Sequence, residues 1–382
     1  MSTLSDKKKK MRCIQICLVV ISLGIKVGQA QPLEITGMSK GLMGINLHWT
    51  STAERYIVAQ SQSLTTGIFD YVGAVLSTNM TFLTSSVPAA FYKIQEVVVV
   101  DFPDPALGSA ISNAMVVKFD PANRFYDFEI SNIVTLNAEG SGISNAVGLN
   151  GCTGLTLLDC SSNYLASLDV SGMGKLEELY CYANQITNLT LTGCTNLSAL
   201  ICMYNPLGTL DVTGMSSLST LYCWNDELTN LNLTGCTNLS ELIGMNNPLG
   251  TLDVSGMSSL STLYCWNDEL TNLNLTGGTN LALLACNDNL LPALDISRCY
   301  ALTNLFCNNN NLSTLDISTC TNLTLVQCTG NSLVDIASFI TNASRGGLGT
   351  GDVVYLNFNP LSQYAKTNQI PALLGYGVTV LW

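Results

Sequence analysis

The chain has 382 residues, 47% of them hydrophobic and 11% charged, with 27 acidic against 15 basic side chains and a net charge of −12. That acidity argues against nucleic acid or an anionic membrane surface as partner and favours a neutral or basic one. With a single histidine, no Ser/His/Asp or Cys/His set, no phosphate-binding loop and no zinc-binding helix motif, the chain carries no signature of an enzyme, a cofactor or a metal site.

Residues 1–30 read as a secretory signal peptide. Lys7 to Lys10 and Arg12 are basic, and Cys13 to Ile25 form a mostly apolar run of 13 residues, too short to span a bilayer. Gly28-Gln29-Ala30 then offers a small-x-small cleavage site before Gln31. An uncleaved anchor is the competing reading, and Lys26 interrupts the apolar run that it would need. Met11 is a second candidate start. Without this leader the chain keeps 9 basic and 26 acidic residues, a net charge of −17. No second stretch is long and apolar enough to span, and no carboxy-terminal sorting signal is recognisable, so the expected location is secreted or cell surface with no transmembrane span.

Residues 31–99 differ in texture. Gly44–Trp49, Arg55–Gln60 and Ala90–Gln95 alternate apolar and polar residues between Ser/Thr/Gly turns and read as strands. A Trp ending one strand and a Tyr in the next is similar to fibronectin type III-like β-sandwich modules, although the span is short for a complete sandwich; the alternative is an irregular β-rich leader. His48, beside Trp49, reads as a packed strand residue. Asp101-Phe102-Pro103-Asp104-Pro105 marks a boundary. Ala106 to Val117 follows with Leu107, Ile111, Met115 and Val116 on one helical face, so residues 100–132 are expected to form a helical cap.

From 133 to 340 the chain repeats. Leucine recurs every 21 residues at Leu155, Leu176, Leu197, Leu218, Leu239, Leu260, Leu281, Leu302 and Leu323. Residues 197–238 and 239–280 are near copies, with five differences in 42 positions. The unit reads L-x-x-L-x-C-x-x-N-x-L-x-x-L-D-V/L-S/T-G-C/M-x-x. Its two period-2 patterns, as in Leu179-Tyr180-Cys181 and Leu210-Asp211-Val212, predict two short half-buried strands, and no unit has room for a long helix. A fixed period of this length means a solenoid whose coils bury their leucines only against neighbouring coils. A longer, degenerate first coil runs from Ile133 to Gly154. At the far end, Thr341–Asp352 reads as a loop, Val353–Leu361 as an irregular strand and turn, and Gly377–Trp382 as a last strand; residues 341–382 would seal the exposed edge.

The L-x-x-L-x-C-x-x-N-x-L core resembles the leucine-rich repeat, in the 21-residue class of bacterial secreted proteins, over roughly Ile133 to Asn331. A helical cap ahead of the repeats resembles the layout of internalin-type proteins. The resemblance implies a mainly β solenoid with a parallel concave sheet and a short second strand per coil, here preceded by the small β-sandwich-like module. It also implies macromolecular binding as the activity, with no catalytic residues.

The ninth unit position is Asn163, Asn184, Asn205, Asn247, Asn289, Asn310 and Asn331, with Asp226 and Asp268 in two units. Such a polar ladder satisfies backbone groups that a bend would leave unpaired. The sixth position is Cys160, Cys181, Cys202, Cys223, Cys265, Cys286, Cys307 and Cys328, broken by Gly244. Cys194, Cys236, Cys299 and Cys320 share the nineteenth. Side chains running parallel up a ladder do not converge as a disulfide requires, so buried free thiols acting as small hydrophobes are expected. Asp169, Asp211, Asp253, Asp295 and Asp316 mark a solvated second strand.

Alternation directs the fifth and seventh positions away from the Leu/Cys core. They are large and apolar in the middle units, and the candidate ligand-binding residues are Tyr180, Tyr182, Met203, Tyr222, Trp224, Met245, Tyr264, Trp266 and Phe306. Asp226, Glu227, Asp268 and Glu269 are placed on the rim. A contiguous aromatic patch of this kind marks an interaction site. The leading expectation is a non-catalytic exported module recognising a protein or glycan through the concave face of the solenoid; the alternative is a structural or adhesive cell-surface component acting by self-association.

Overall fold

A computed structural model describes residues 100–115 and 125–382 with their side chains. Before them it describes the backbone of the strands Glu34–Lys40, Gly44–Thr50, Tyr56–Ser61, Asp70–Val75, Asn79–Leu83, Phe91–Glu96 and Val99–Val100. The expected leader, the side chains of His48 and Trp49, and positions 116 and 117 of the expected helix lie outside the described residues. The chain divides into two compact units, residues 1–101 with 116–130, and residues 102–115 with 131–382.

In the first unit, Gly44–Thr50 pairs antiparallel with Glu34–Lys40 and Asn79–Leu83, and Tyr56–Ser61 with Asp70–Val75 and Phe91–Glu96. Three of these strands match the alternating segments of the sequence. Glu34–Lys40, Asp70–Val75 and Asn79–Leu83 were not among them.

The second unit is the solenoid. Its main sheet holds twelve parallel strands, from Thr135–Asn137 through Leu157–Asp159, Glu178–Tyr180, Ala199–Ile201 and so on to Leu325–Gln327, Val353–Tyr355 and Thr379–Leu381. Each coil adds one three-residue strand in strict register, as in Tyr180↔Ile201↔Tyr222. The inward residue of each strand is a leucine in most coils. Leu179, Leu200, Leu221, Leu242, Leu263, Leu284 and Leu305 are fully buried, each contributing about 2 kcal/mol of burial. The cysteines from Cys152 to Cys328 are buried beside them. A hydroxyl ladder runs along the strand starts, with Ser219 Oγ donating to Ser198 O, Ser240 Oγ to Ser219 O and Ser261 Oγ to Ser240 O.

The asparagines form the expected ladder. Asn184 Oδ1 accepts from Leu165 N at 3.0 Å, while its Nδ2 donates to the carbonyls of Cys160 and Cys181. Each asparagine thus ties two coils together and leaves no bent backbone group unpaired.

The second strands do not form one ladder. They pair in twos: Ser167–Asp169 with Asn188–Thr190, Thr209–Asp211 with Asn230–Asn232, and Thr251–Asp253 with Asn272–Asn274. Glycines approach closely within each pair. Gly172/Gly193, Gly214/Gly235 and Gly256/Gly277 all have positive φ and meet across each pair; a Cβ on Gly235 would lie 2.8 Å from Gly214 Cα. In the next two coils Arg298 and Thr319 take this position, and the second-strand pairing stops. The thiol of Cys236 donates to Val212 O within one such pair.

The helix at the start of the solenoid unit runs Pro105–Ala114, not from Ala106 to Val117. Asp104 caps it and Pro105 supplies the first-turn φ. Met115 turns to extended backbone just before the β-branched pair Val116-Val117, which disfavours helix. At the other end the structure corrects the reading of 341–352 as loop. Helix Ala337–Ser344 enters it, and a π-turn at Ala365–Gln369 leads into helix Ile370–Gly375. These helices are short and bury only a few residues each, among them Phe339, Ile370 and Leu373, so they leave no extended 3.6-residue pattern.

Candidate recognition face

The third, fifth and seventh unit positions point away from the leucine core on the outward face of the long sheet. Strand register stacks the fifth positions as Tyr180, Ile201, Tyr222, Ile243, Tyr264, Ala285 and Phe306. Beyond the strands the backbone ladder continues: Ala183 N donates to Met203 O, Tyr204 N to Trp224 O, Asn225 N to Met245 O and Asn246 N to Trp266 O. The seventh positions Tyr182, Met203, Trp224, Met245 and Trp266 are therefore held in register too.

All nine candidate ligand-binding residues lie on this face and are half-buried. Ile201 and Ala285 are covered. Tyr222 and Trp224 rings lie 5.6 Å apart at 43°, and Tyr204 meets Trp224 edge-on at 6.2 Å and 79°. Tyr204 is 53% exposed and was missed in the sequence because it sits at the eighth position, where a left-handed φ of 61° turns it back over the face. Its equivalent in the duplicate block is Asn246.

Carboxylates border the rings. Tyr180 Oη donates to Glu178 Oε2 at 2.7 Å, and Tyr182 Oη to Glu139 Oε1 at 3.0 Å. The hydrogen bond to Glu178, with burial, raises the Tyr180 phenol above its ordinary value. Burial and Glu241 do the same for Tyr222. Glu178 and Glu241 occupy the third position, which the sequence reading left out. Glu227 and Glu269 are exposed, as a rim requires, and each holds a left-handed φ.

Asp226 and Asp268 are not rim residues. Both are fully buried, their carboxyls pushed up to about 8 by burial. They occupy the asparagine ladder inside the turn. The coil before each carries a proline, Pro206 or Pro248. There the carboxyl Oδ1 accepts from Asn205 N or Asn247 N alone, whereas Asn247 and Asn289 accept from that place and from the N–H two residues on.

Among the described residues no group of three or more His, Cys, Asp or Glu could hold a metal ion, and no helix is long and apolar enough to cross a membrane. Open clefts of about 470, 360 and 260 Å³ lie between the second-strand pairs, lined by residues such as Asn232, Asp253 and Thr234. They are the gaps beside the second-strand pairs, remote from the aromatic ladder, and each sets a hydroxyl against a carboxylate, Ser255 on Asp253, Thr213 on Asp211 and Ser297 on Asp295.

No protein-family profile matches this chain, and no curated protein does. Among solved structures, the functional domain of InlJ from Listeria monocytogenes, which includes a cysteine ladder, is similar, with 27% identity and a TM-score of 0.61. The fold is that of an internalin-like leucine-rich repeat protein. The match covers 73% of this chain and 60% of the InlJ chain, so it spans less than two thirds of that relative. The internalin InlF from Listeria monocytogenes 4b F2365 shares the fold, at 20% identity and a TM-score of 0.53, over 73% of this chain and 88% of its own.

Proposed function

We propose that this internalin-like chain is a non-catalytic, exported recognition module that binds a protein or glycan through the outward aromatic face of its solenoid. The observation that carries the reading is the in-register stack of Tyr180, Tyr222 and Tyr264 alternating with Ile201 and Ile243, flanked by Trp224 and Trp266. Aromatic rings on a rigid sheet give large contact area with little conformational entropy to lose. Glu178, Glu241, Glu227 and Glu269 around them favour a neutral or basic partner. The binding residues are Tyr180, Tyr182, Met203, Tyr222, Trp224, Met245, Tyr264, Trp266 and Phe306.

The test immobilises the full chain, captures partners from an extracellular or surface extract, and then measures the captured partner's affinity directly. A Trp224→Ala/Trp266→Ala variant that keeps its circular dichroism should bind at least ~10-fold more weakly, as loss of hot-spot aromatics does. Equal binding would move the site off this face.

A second reading is favoured by the sheet's end. Thr379–Leu381 pairs on one side only, with Val353–Tyr355, and Leu381 and Trp382 are exposed. An open, apolar edge strand invites edge-to-edge association. Sedimentation of the parent chain that shows concentration-dependent assembly, with no captured partner, would favour an adhesive component.

A further inference from the structure

The 42-residue duplication supplies an internal control for one buried site. In the first copy, the Cys202 thiol lies 3.6 Å from Asp226 Oδ2 and donates to it. In the second copy, the residues at the same places are Gly244 and Asp268. Asp268 is fully buried, its Oδ1 accepts from Asn247 N at 2.7 Å, and its Oδ2 is the one buried side-chain oxygen or nitrogen without a partner among the described residues. The atom that would have served it is the sulfur that Gly244 lacks.

The room for a side chain begins where that thiol would. Gly244 has no left-handed φ to account for a glycine, and a Cβ built on it would meet only Cys223 Sγ at 3.6 Å and Leu242 Cδ1 at 3.8 Å, both ordinary contacts. The coils have not closed over the gap, because register pins them: Gly244 N donates to Tyr264 O at 2.9 Å, and Asn247 Nδ2 to Gly244 O at 2.6 Å. The walls are polar where it matters. The Cys223 and Cys265 thiols both lie close enough to Asp268 to feel its charge.

We propose that Gly244 and Asp268 form an internal hydration site, in which a single water stands in for the missing thiol and hydrogen-bonds to Asp268 Oδ2. A cavity lined by aliphatic groups alone stays dry, but one that exposes an orphaned carboxyl oxygen, with thiols to complete the water's bonds, does not. The water is selected by size and by its ability to donate and to accept at once, which serves the carboxyl oxygen with or without its proton. The first copy has no such site, since Cys202 already fills the place.

A high-resolution crystal structure of the full chain tests this. It should show one ordered water within hydrogen-bond distance of Asp268 Oδ2 and none at Asp226 Oδ2. In Gly244→Cys the water should be replaced by sulfur. Water relaxation dispersion in solution gives a second readout: the count of long-lived internal waters should fall by one in Gly244→Cys and rise by one in the reciprocal Cys202→Gly. A dry gap, an Asp268 Oδ2 that bonds directly to a backbone carbonyl, or counts unchanged in both variants would overturn the proposal.

Discussion

Asp104 Oδ2 accepts the backbone N–H of Ser144 at 2.7 Å, joining the first turn of the solenoid's leading helix to a loop forty residues further on. The same oxygen takes the Ser144 hydroxyl and Asn145 N, while Oδ1 takes Ala106 N and Leu107 N. One carboxylate thus caps a helix and clamps it to the first coil. Burial alone would raise this carboxyl, but the Ser144, Leu107 and Ala106 donors outweigh it and hold it at about 2.

Asp104→Ala should therefore cost about 2 kcal/mol in urea unfolding at neutral pH, at the upper end for a cap because the clamp goes with it. The folded value is depressed, so the contribution is present above the unfolded value of ~4 and is lost as pH falls toward 2. The gap between parent and Asp104→Ala should shrink over that window. A gap that stays constant from pH 5 to about 2 would show that the charge plays no part.

Asp226 and Asp268 predict the opposite slope. Their carboxyls are raised to about 8, so the folded chain keeps protons that the unfolded chain gives up from ~4 upward. Stability should fall as pH rises between about 4 and 8, by about 1.4 kcal/mol per pH unit per group at most, and level off above. Asp226→Asn/Asp268→Asn places at both sites the residue that seven other coils use. It should flatten the slope and raise the unfolding midpoint at pH 8. An unchanged slope would mean that these carboxyls are ionised in the fold.

Gly214 and Gly235 share a left-handed φ, yet they should not tolerate alanine equally. A Cβ on Gly214 meets nothing within 4 Å, whereas one on Gly235 comes within 3.0 Å of Gly214 N and closer still to its Cα. Gly214→Ala should cost about 1 kcal/mol of backbone strain. Gly235→Ala should cost about 1–2 kcal/mol more, because the two second strands must part. Equal unfolding midpoints for the two variants would refute the close approach.

Trp224 and Trp266 are copies in sequence but not in surroundings. Tyr204 packs edge-on against Trp224, and Asn246 stands at the equivalent place beside Trp266. Trp224→Ala should be the more destabilising by about 1 kcal/mol, the usual worth of an aromatic pair. In a Tyr204→Asn background the difference should vanish. A double-mutant cycle reads this directly.

Much of the solenoid was legible because its physics is periodic. A leucine every 21 residues cannot be buried within one short coil, so stacking, strand register and an inward cysteine ladder follow from spacing alone. The same alternation put Tyr180, Tyr222, Trp224 and Tyr264 on one outward face. It did not reveal Tyr204, whose place on that face depends on a left-handed backbone turn, nor the short terminal helices, whose few buried residues leave no period.

What the sequence by itself determined is the coil, because each unit carries the same apolar pattern and has only its neighbours to bury it against. Only the tertiary structure decided how coils differ from one another. It showed that second strands come together in pairs, with glycines in close approach inside each pair, and that Asp226 and Asp268, polar residues like the exposed Glu227 and Glu269, point into the core. It also showed that losing one sulfur at Gly244 leaves an oxygen unserved at Asp268, 24 positions later in the chain. Those outcomes depend on which atoms meet between coils, and a repeat pattern read one coil at a time does not contain that distance.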